Sequence, residues 1–97
     1  MNKHETDLTV ADIIDAAGNA VRVNILDTLA DEGPKSVNEI MEKADVSQSL
    51  TSHHLMLLTK AGYIQKKRNG KQIIYSLASK ELYQIVVIAR THLLTKK

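Results

Sequence analysis

The apolar residues of the chain recur first at helical spacing and then at strand spacing. Up to Ala61 they return every three or four positions in four successive segments, which predicts four amphipathic helices. After Gly62 the spacing shortens to about two residues, which is typical of strands. Residues 80–95 return to helical spacing. The pattern therefore predicts four helices, two strands and a last helix.

The first four helices have recognisable boundaries. Residues 8–17 form the first, and residues 20–31 form the second, which ends at Gly33 because Pro34 cannot continue it. The third helix is short and begins after Ser36, which forms a capping box with the glutamate three residues later.

The fourth helix follows a turn of three residues. Ser47 caps its start, and Gly62 supplies its C-terminal stop. Two strands follow it, joined at Asn69 and Gly70, a pair that favours a type I′ hairpin with these two residues at its centre.

This order, ααααββα, indicates a mostly α protein with a small β-hairpin (class α+β). A short helix, a tight turn, a longer helix and a hairpin make up a winged helix-turn-helix. We predict one such domain over residues 1–97. In this arrangement the second helix of the pair enters the major groove of double-stranded DNA, and the hairpin reaches the neighbouring backbone.

The outer face of the fourth helix is polar and carries no acidic residue. Such a face suits base edges and phosphate oxygens, which repel carboxylates. A helix in the groove reads bases mainly through its N-terminal residues, and a glutamine amide can bond adenine. Met56, farther along, is a candidate for contact with a thymine methyl group. The predicted base-reading residues are Gln48, Ser49, Ser52 and His53.

Two adjacent histidines in this helix point about 100° apart, so they cannot easily chelate one ion. His53 lies at the edge of the polar face. His54 lies on the apolar side with Leu50, Leu57 and Leu58, where we expect a packed ring with one hydrogen bond.

The charge of the chain is divided unevenly. Residues 1–45 carry ten acidic and four basic side chains, a net charge of −6, whereas residues 46–97 carry nine basic and one acidic, a net charge of +8. This asymmetry favours a polyanion on one face of the protein. The alternative for the chain as a whole is a solvated charged surface, and the alternative for the basic hairpin is a charged edge strand that guards against aggregation. The predicted backbone-contacting residues are Lys60, Lys67, Arg68, Asn69, Gly70 and Lys71.

Several classes of protein are disfavoured. The chain has no cysteine, which excludes disulfides and thiol-based metal or redox sites. Its first ten residues lack the apolar core of a secretory signal, and no apolar run could span a bilayer, so we expect a cytoplasmic protein without membrane contact. Asp45, Ser52 and His53 have the side chains of a hydrolase triad, but Ser52 and His53 diverge and no glycine-rich oxyanion turn accompanies them. We expect no enzyme activity.

Residues 16–78 resemble the ArsR/SmtB family of bacterial winged-helix repressors. The likeness rests on "AAGNAVRVNIL", "VSQSLTSHHLMLLTKAGYI" and "KKRNGKQIIYSL". The resemblance implies a homodimeric repressor that binds a palindromic operator and is released by an effector. It places the DNA-reading positions of the family on Gln48, Ser49, Ser52 and His53, the same four residues that the polar face of the fourth helix predicts. Thr51 stands where the family usually has a buried aliphatic residue.

The last helix, capped by Ser79, is too apolar for a free surface. It needs two buried faces, one against its own domain and one against a second subunit, as in the dimer of the family. The residues predicted to form this dimer interface are Leu82, Ile85, Val86, Ala89 and Leu93.

The resemblance also locates a possible metal sensor in the last helix. Of the four corresponding positions, only Glu81 and His92 could serve as ligands, with His4 as a candidate third. Eleven residues separate Glu81 from His92, about 16 Å along a helix, so only a partner helix could bring them together. Two ligands make a poor zinc site. We expect no metal cofactor, and the sequence does not identify the effector. The alternative function is a winged-helix protein-interaction module without an operator of its own.

Overall fold

The computed structural model describes residues 8–95 of the 97. This part of the chain forms five helices and a three-stranded sheet. Their bounds are α1 Val10–Ala17, α2 Ala20–Glu32, β1 Lys35–Ser36, α3 Val37–Ala44, α4 Gln48–Ala61, β2 Ile64–Asn69, β3 Gln72–Leu77 and α5 Lys80–Thr95. The winged helix-turn-helix prediction is confirmed, with β1 as an addition.

Side-chain caps set the starts of the helices, because the first amides of a helix have no partner within it. The predicted capping box is present: the Glu39 amide donates to Ser36 Oγ at 3.3 Å, and the Ser36 amide donates to Glu39 Oε1 at 2.8 Å. Ser47 and Ser79 cap α4 and α5 as expected. The Asn19 side chain, a cap that the sequence reading missed, accepts two amides at the start of α2.

The strand β1 joins the hairpin as the third strand of an antiparallel sheet of order β1-β3-β2. Lys35 pairs with Tyr75, and Ser36 pairs with Ile74. Two residues are too few to show an alternating pattern, so β1 leaves no periodic signal in the sequence. Its pairing holds the start of α3 against the sheet.

The predicted type I′ turn centred on Asn69 and Gly70 is wrong by one residue. Asn69 pairs with Gln72, so the loop consists of Gly70 and Lys71. Gly70 has a φ of +65°, while neither Asn69 nor Lys71 has a positive φ. Glycine in the first loop position is typical of a type II′ turn. The core decides this register, because it pairs the buried Ile64 with Leu77.

The core lies between the helices and the inner side of the sheet. Tyr63 and Leu58 are fully buried, and the Tyr63 hydroxyl donates to the Ile13 carbonyl at 2.8 Å. The chain therefore turns from α4 into the wing through a buried aromatic residue. The buried apolar residues are Ala16, Ala17, Ile25, Leu26, Leu29, Ile40, Leu55, Leu58, Ala61, Tyr63, Ile64 and Val86.

The helix α5 is fastened to α2 by a polar clamp. Asp27 accepts a hydrogen bond from the Tyr83 hydroxyl at 2.6 Å and an ion-paired one from Arg90 at 2.6 Å. Burial and the hydrogen bond to Asp27 raise the pKa of Tyr83, so the phenol stays protonated and donates. Across residues 8–95, the helices are too short or too polar to cross a membrane.

Candidate nucleic-acid interface

The helix α4 has well-defined ends. The Leu50 amide donates to Ser47 Oγ at 3.2 Å at its start, and Gly62, with a φ of +94°, ends it in the left-handed conformation. A non-glycine residue at Gly62 would be strained at this φ. The buried side of α4 consists of Thr51, His54, Leu55, Leu58 and Ala61.

The outer face of α4 exposes all four residues that we predict to read bases. They occupy the first two turns, where a helix inserted in the major groove approaches base edges. The residues exposed on α4 are Gln48, Ser49, Leu50, Ser52, His53, Met56 and Lys60. None of them is acidic, so the face offers amide, hydroxyl and imidazole groups to an anionic surface without repulsion.

One of two neighbouring residues of α4 departs from its expected side, while the other is buried as the family pattern implies. Leu50, which the sequence places on the apolar arc, is 43% exposed, whereas Thr51 is fully buried. The Thr51 hydroxyl has no hydrogen-bond partner among the described residues. The buried arc of α4 is therefore rotated toward Thr51 and away from Leu50. The exposed Leu50 is the surface residue that periodicity alone missed.

Replacing Thr51 with valine is expected to raise the free energy of unfolding by about 1 kcal/mol, because an unpaired buried hydroxyl becomes a methyl group of similar shape. Chemical denaturation measures this change. Thr28→Val is the matched control: Thr28 is also buried, but its hydroxyl donates to the Asn24 carbonyl at 2.9 Å. Thr28→Val should be neutral or destabilising, and equal stabilisation of both variants would contradict the account.

His54 is buried, as predicted, and its hydrogen-bond partner is Arg22, which is also buried. Arg22 Nη1 lies 2.9 Å from His54 Nδ1, and Arg22 Nε donates to the Ala16 carbonyl at 2.6 Å. Because a guanidinium only donates, Nδ1 must accept, which places the ring proton on Nε2. Burial lowers the pKa of His54, and the positive charge of Arg22 lowers it further.

Arg22 joins three helices at one point. From α2 it reaches two carbonyls at the C-terminal end of α1, those of Ala16 and of Asp15, and the ring of His54 on α4. The carbonyls at a helix end carry partial negative charge, which stabilises a cation. The sequence reading assigned Arg22 no role, since a basic residue within an amphipathic helix is ordinarily a surface residue.

We expect the protein to lose stability as the pH falls below about 6.5, the ordinary pKa of histidine. The folded pKa of His54 is lowered, so the unfolded chain takes up the proton first. Stability is therefore complete above that pH and is lost as the pH approaches the folded pKa. Thermal unfolding between pH 7.5 and pH 5 measures the loss.

His54→Asn keeps an acceptor for Arg22 without a titrating ring, so it should flatten this part of the pH dependence. His92→Asn, which changes an exposed histidine, is the control and should retain it. Identical pH profiles for wild type and His54→Asn would rule out His54 as the cause.

The wing is basic along its exposed length. Lys66, Lys67 and Arg68 lie on β2, and Lys71 lies in the loop, all of them exposed. None of these four cations forms an ion pair within residues 8–95, and neither does Lys60 near the end of α4. The wing thus presents free positive charge directly after the polar face of α4 in the chain.

The helices α1 and α5 carry most of the remaining exposed apolar surface. Ile88 of α5 is exposed, and Leu93 is 70% exposed. The five residues predicted to form the dimer interface differ in burial. Val86 lies in the core of its own subunit, and Leu82 and Ile85 are half-buried against that core. Ala89 and Leu93 are exposed. The outward apolar residues of the two helices are Val10, Ile14, Ile88, Leu93 and Leu94, and Leu8 just before α1 is exposed as well.

The candidate metal ligands do not gather into a site within the described subunit. Residues 8–95 contain no group of three histidine, aspartate or glutamate side chains placed to hold an ion. Glu81 and His92 are exposed near opposite ends of α5. His4 lies outside the described residues.

The chain is similar to known bacterial regulators. A model described as "Bacterial regulatory protein, arsR family" matches residues 19–66. The biofilm growth-associated repressor of Agrobacterium fabrum is 33% identical over 86 residues, which cover 89% of this chain and 71% of the relative. The chain belongs to the ArsR family.

Two further transcriptional repressors are similar to it. The HTH-type transcriptional repressor SmtB of Mycobacterium tuberculosis is 35% identical over 88 residues, which cover 84% of this chain. The chain spans 64% of the length of that repressor. The crystal structure of the transcriptional repressor BigR from Xylella fastidiosa matches with a TM-score of 0.74 at 26% identity, covering 100% of this chain and 99% of the other. The family and these relatives are transcriptional regulators rather than enzymes.

Proposed function

We propose that the protein is a sequence-specific, double-stranded DNA-binding transcriptional repressor that acts as a homodimer on a palindromic operator in the cytoplasm. The observation that carries the proposal is the exposed, acid-free face of α4 followed directly by the cations of the wing, which form no ion pair with any residue from 8 to 95. A protein-interaction module would not require either feature. The relatives named above are themselves repressors, which supports the same reading.

Each part of the surface has its own role in this proposal. Gln48, Ser49, Ser52 and His53 read base edges in the major groove, because such contacts carry sequence information. Lys60 and the wing, from Lys67 to Lys71, contact phosphates, which supply salt-dependent affinity and little specificity.

The homodimer accounts for the outward apolar residues of α1 and α5. Leu93 and Leu94 lie beyond Arg90, the last residue of the α5 clamp, and both are about 70% exposed. Neighbouring apolar side chains that are this exposed are typical of a surface that a partner covers. A two-fold dimer would bury this surface and would place two copies of α4 on two half-sites of DNA.

The proposal includes neither a resident metal nor catalysis. The chain has no cysteine for a thiolate sensor, and Glu81 and His92 provide two ligands where zinc usually takes at least three from the protein. Zinc titration of the DNA complex tests this part. Release of the DNA at stoichiometric metal would contradict it.

The experiment that tests DNA recognition is fluorescence anisotropy with the upstream region of the protein's own operon at about 150 mM salt. We expect the affinity for this region to exceed that for random DNA of equal length by about 10³-fold or more. Equal affinities would overturn the proposal.

Two variants separate base reading from backbone contact. Gln48→Ala should cost about 1–3 kcal/mol in operator binding and relax specificity at one base pair. Arg68→Ala should weaken binding to all sequences alike and reduce the salt slope by about one. Affinities over a salt series on operator and random DNA distinguish the two patterns. A uniform loss with Gln48→Ala would contradict its role in base reading.

A further inference from the structure

The burial of Leu50 and Thr51 is the reverse of what their side chains favour. Leu50 is 43% exposed in the first turn of α4, and Thr51 is completely buried, with no hydrogen-bond partner for its hydroxyl in the described part of the chain. Folding alone favours the reverse order, because leucine is most often buried and an unpaired buried hydroxyl is costly. Violations of such local preferences concentrate at functional sites.

The position of Leu50 restricts what it can contact. It lies in the first turn of α4, at the end that approaches base edges in the proposed function, on the flank of the exposed face that is nearer His53 than Gln48. In the major groove the edges of the bases are polar, and the apolar group they offer is the C5-methyl of thymine. An exposed leucine at this place therefore has one complementary partner on the bases.

The other large apolar side chain exposed on α4 is Met56, which is 56% exposed but lies six residues, about 9 Å, farther along the helix. Residues at that distance from the N-terminus of a groove-inserted helix lie farther from the bases. Met56 was the sequence-based candidate for thymine contact. Leu50 is the candidate that lies nearer to the bases.

We infer that Leu50 is a specificity-determining residue that packs against a thymine methyl group in each operator half-site. The inference rests on the proposed function and deepens it, since it names the base that this side chain selects. Leu50 makes the contact through its exposed methyl groups, on the His53 side of the base-reading face.

The test replaces thymines of the operator by deoxyuridine. The operator is first obtained by selecting sequences from a random duplex library with the full chain. Each thymine is then replaced in both half-sites, which removes the C5-methyl and keeps base pairing and every hydrogen-bonding group. Anisotropy gives the affinity of the wild type, Leu50→Ala and Met56→Ala for each duplex.

We expect one thymine position at which uracil weakens wild-type binding by about fourfold per half-site, the factor for one buried methyl group. Leu50→Ala should bind thymine and uracil duplexes equally at that position, whereas Met56→Ala should keep the difference. Because Leu50 is exposed, circular dichroism should show Leu50→Ala folded as the wild type is.

Three results would overturn the inference while leaving DNA binding intact. They are a wild type indifferent to every thymine replacement, a Leu50→Ala protein that still distinguishes thymine from uracil, and a distinction that disappears in Met56→Ala instead. Failure of the library to yield any preferred sequence is a different outcome, because it overturns the proposed function itself and the inference with it.

Discussion

Replacing Arg22 with alanine is expected to lower the free energy of unfolding by about 3 kcal/mol. The change leaves the Ala16 carbonyl and His54 Nδ1 without their donor, and each unpaired buried group costs about 1–3 kcal/mol. A domain of this size has about 5–15 kcal/mol of stability in total, so the loss is large. Urea denaturation monitored by circular dichroism measures it.

Two further variants make this prediction specific. Arg90→Ala removes an exposed arginine that pairs with Asp27, and it should cost clearly less than Arg22→Ala, because surface ion pairs contribute little to stability. Arg22→Lys keeps the charge but cannot direct donors at three acceptors, so it should recover only part of the stability. Equal losses of unfolding free energy for Arg22→Ala and Arg90→Ala would show that the buried junction of α1, α2 and α4 stabilises the fold no more than a surface ion pair does.

The double variant Ile88→Glu/Leu93→Glu is expected to separate the dimer and to weaken operator binding by about 10²–10⁴-fold. Both side chains are exposed and apolar on α5, and two carboxylates would have to be buried at the interface. The expected factor is the gain in affinity that ordinarily results when two half-site contacts are linked in one dimer. Analytical ultracentrifugation measures the mass, and anisotropy measures the affinity.

The control is Asn24→Glu/Ala30→Glu, which adds two carboxylates to exposed positions of α2. It should stay dimeric and should lose only the affinity due to its added negative charge. Palindromic and single half-site duplexes provide a second check, since a monomeric variant should bind both equally per half-site. A dimeric Ile88→Glu/Leu93→Glu protein would place the interface elsewhere.

Local chemistry accounts for what the sequence predicted well. Caps act over three residues, so Ser36 with Glu39 and Ser47 could be recognised from spacing alone, and the structure contains both. Periodicity likewise indicated the exposure of Gln48 and Ser52 on α4, because a helix fixes the relative directions of its own side chains.

The predictions that the structure corrects, the hairpin turn and the burial of Leu50, failed for a different reason. The hairpin register depends on pairing the buried Ile64 with Leu77, a contact that the Asn69 and Gly70 turn signal does not contain. The rotation of α4 that exposes Leu50 and buries Thr51 depends on how the whole helix packs into the core. In both cases a local preference was overruled by burial elsewhere.

Arg22 and His54 show the same division at long range. Thirty-two residues separate them, and their hydrogen bond exists because α1, α2 and α4 meet at one point. The inward direction of His54 could be read from its place on the helix, but its partner, its tautomer and its lowered pKa could not.

By itself the sequence determined the order of the elements, the helix caps, the polar face of α4 and the basic wing, because these follow from contacts within a few residues or from composition. The tertiary structure decided the hairpin register, the strand β1, the Arg22 junction and the outward position of Leu50. Each of these depends on contacts between distant segments, which form only when the chain buries its apolar surface in one common core.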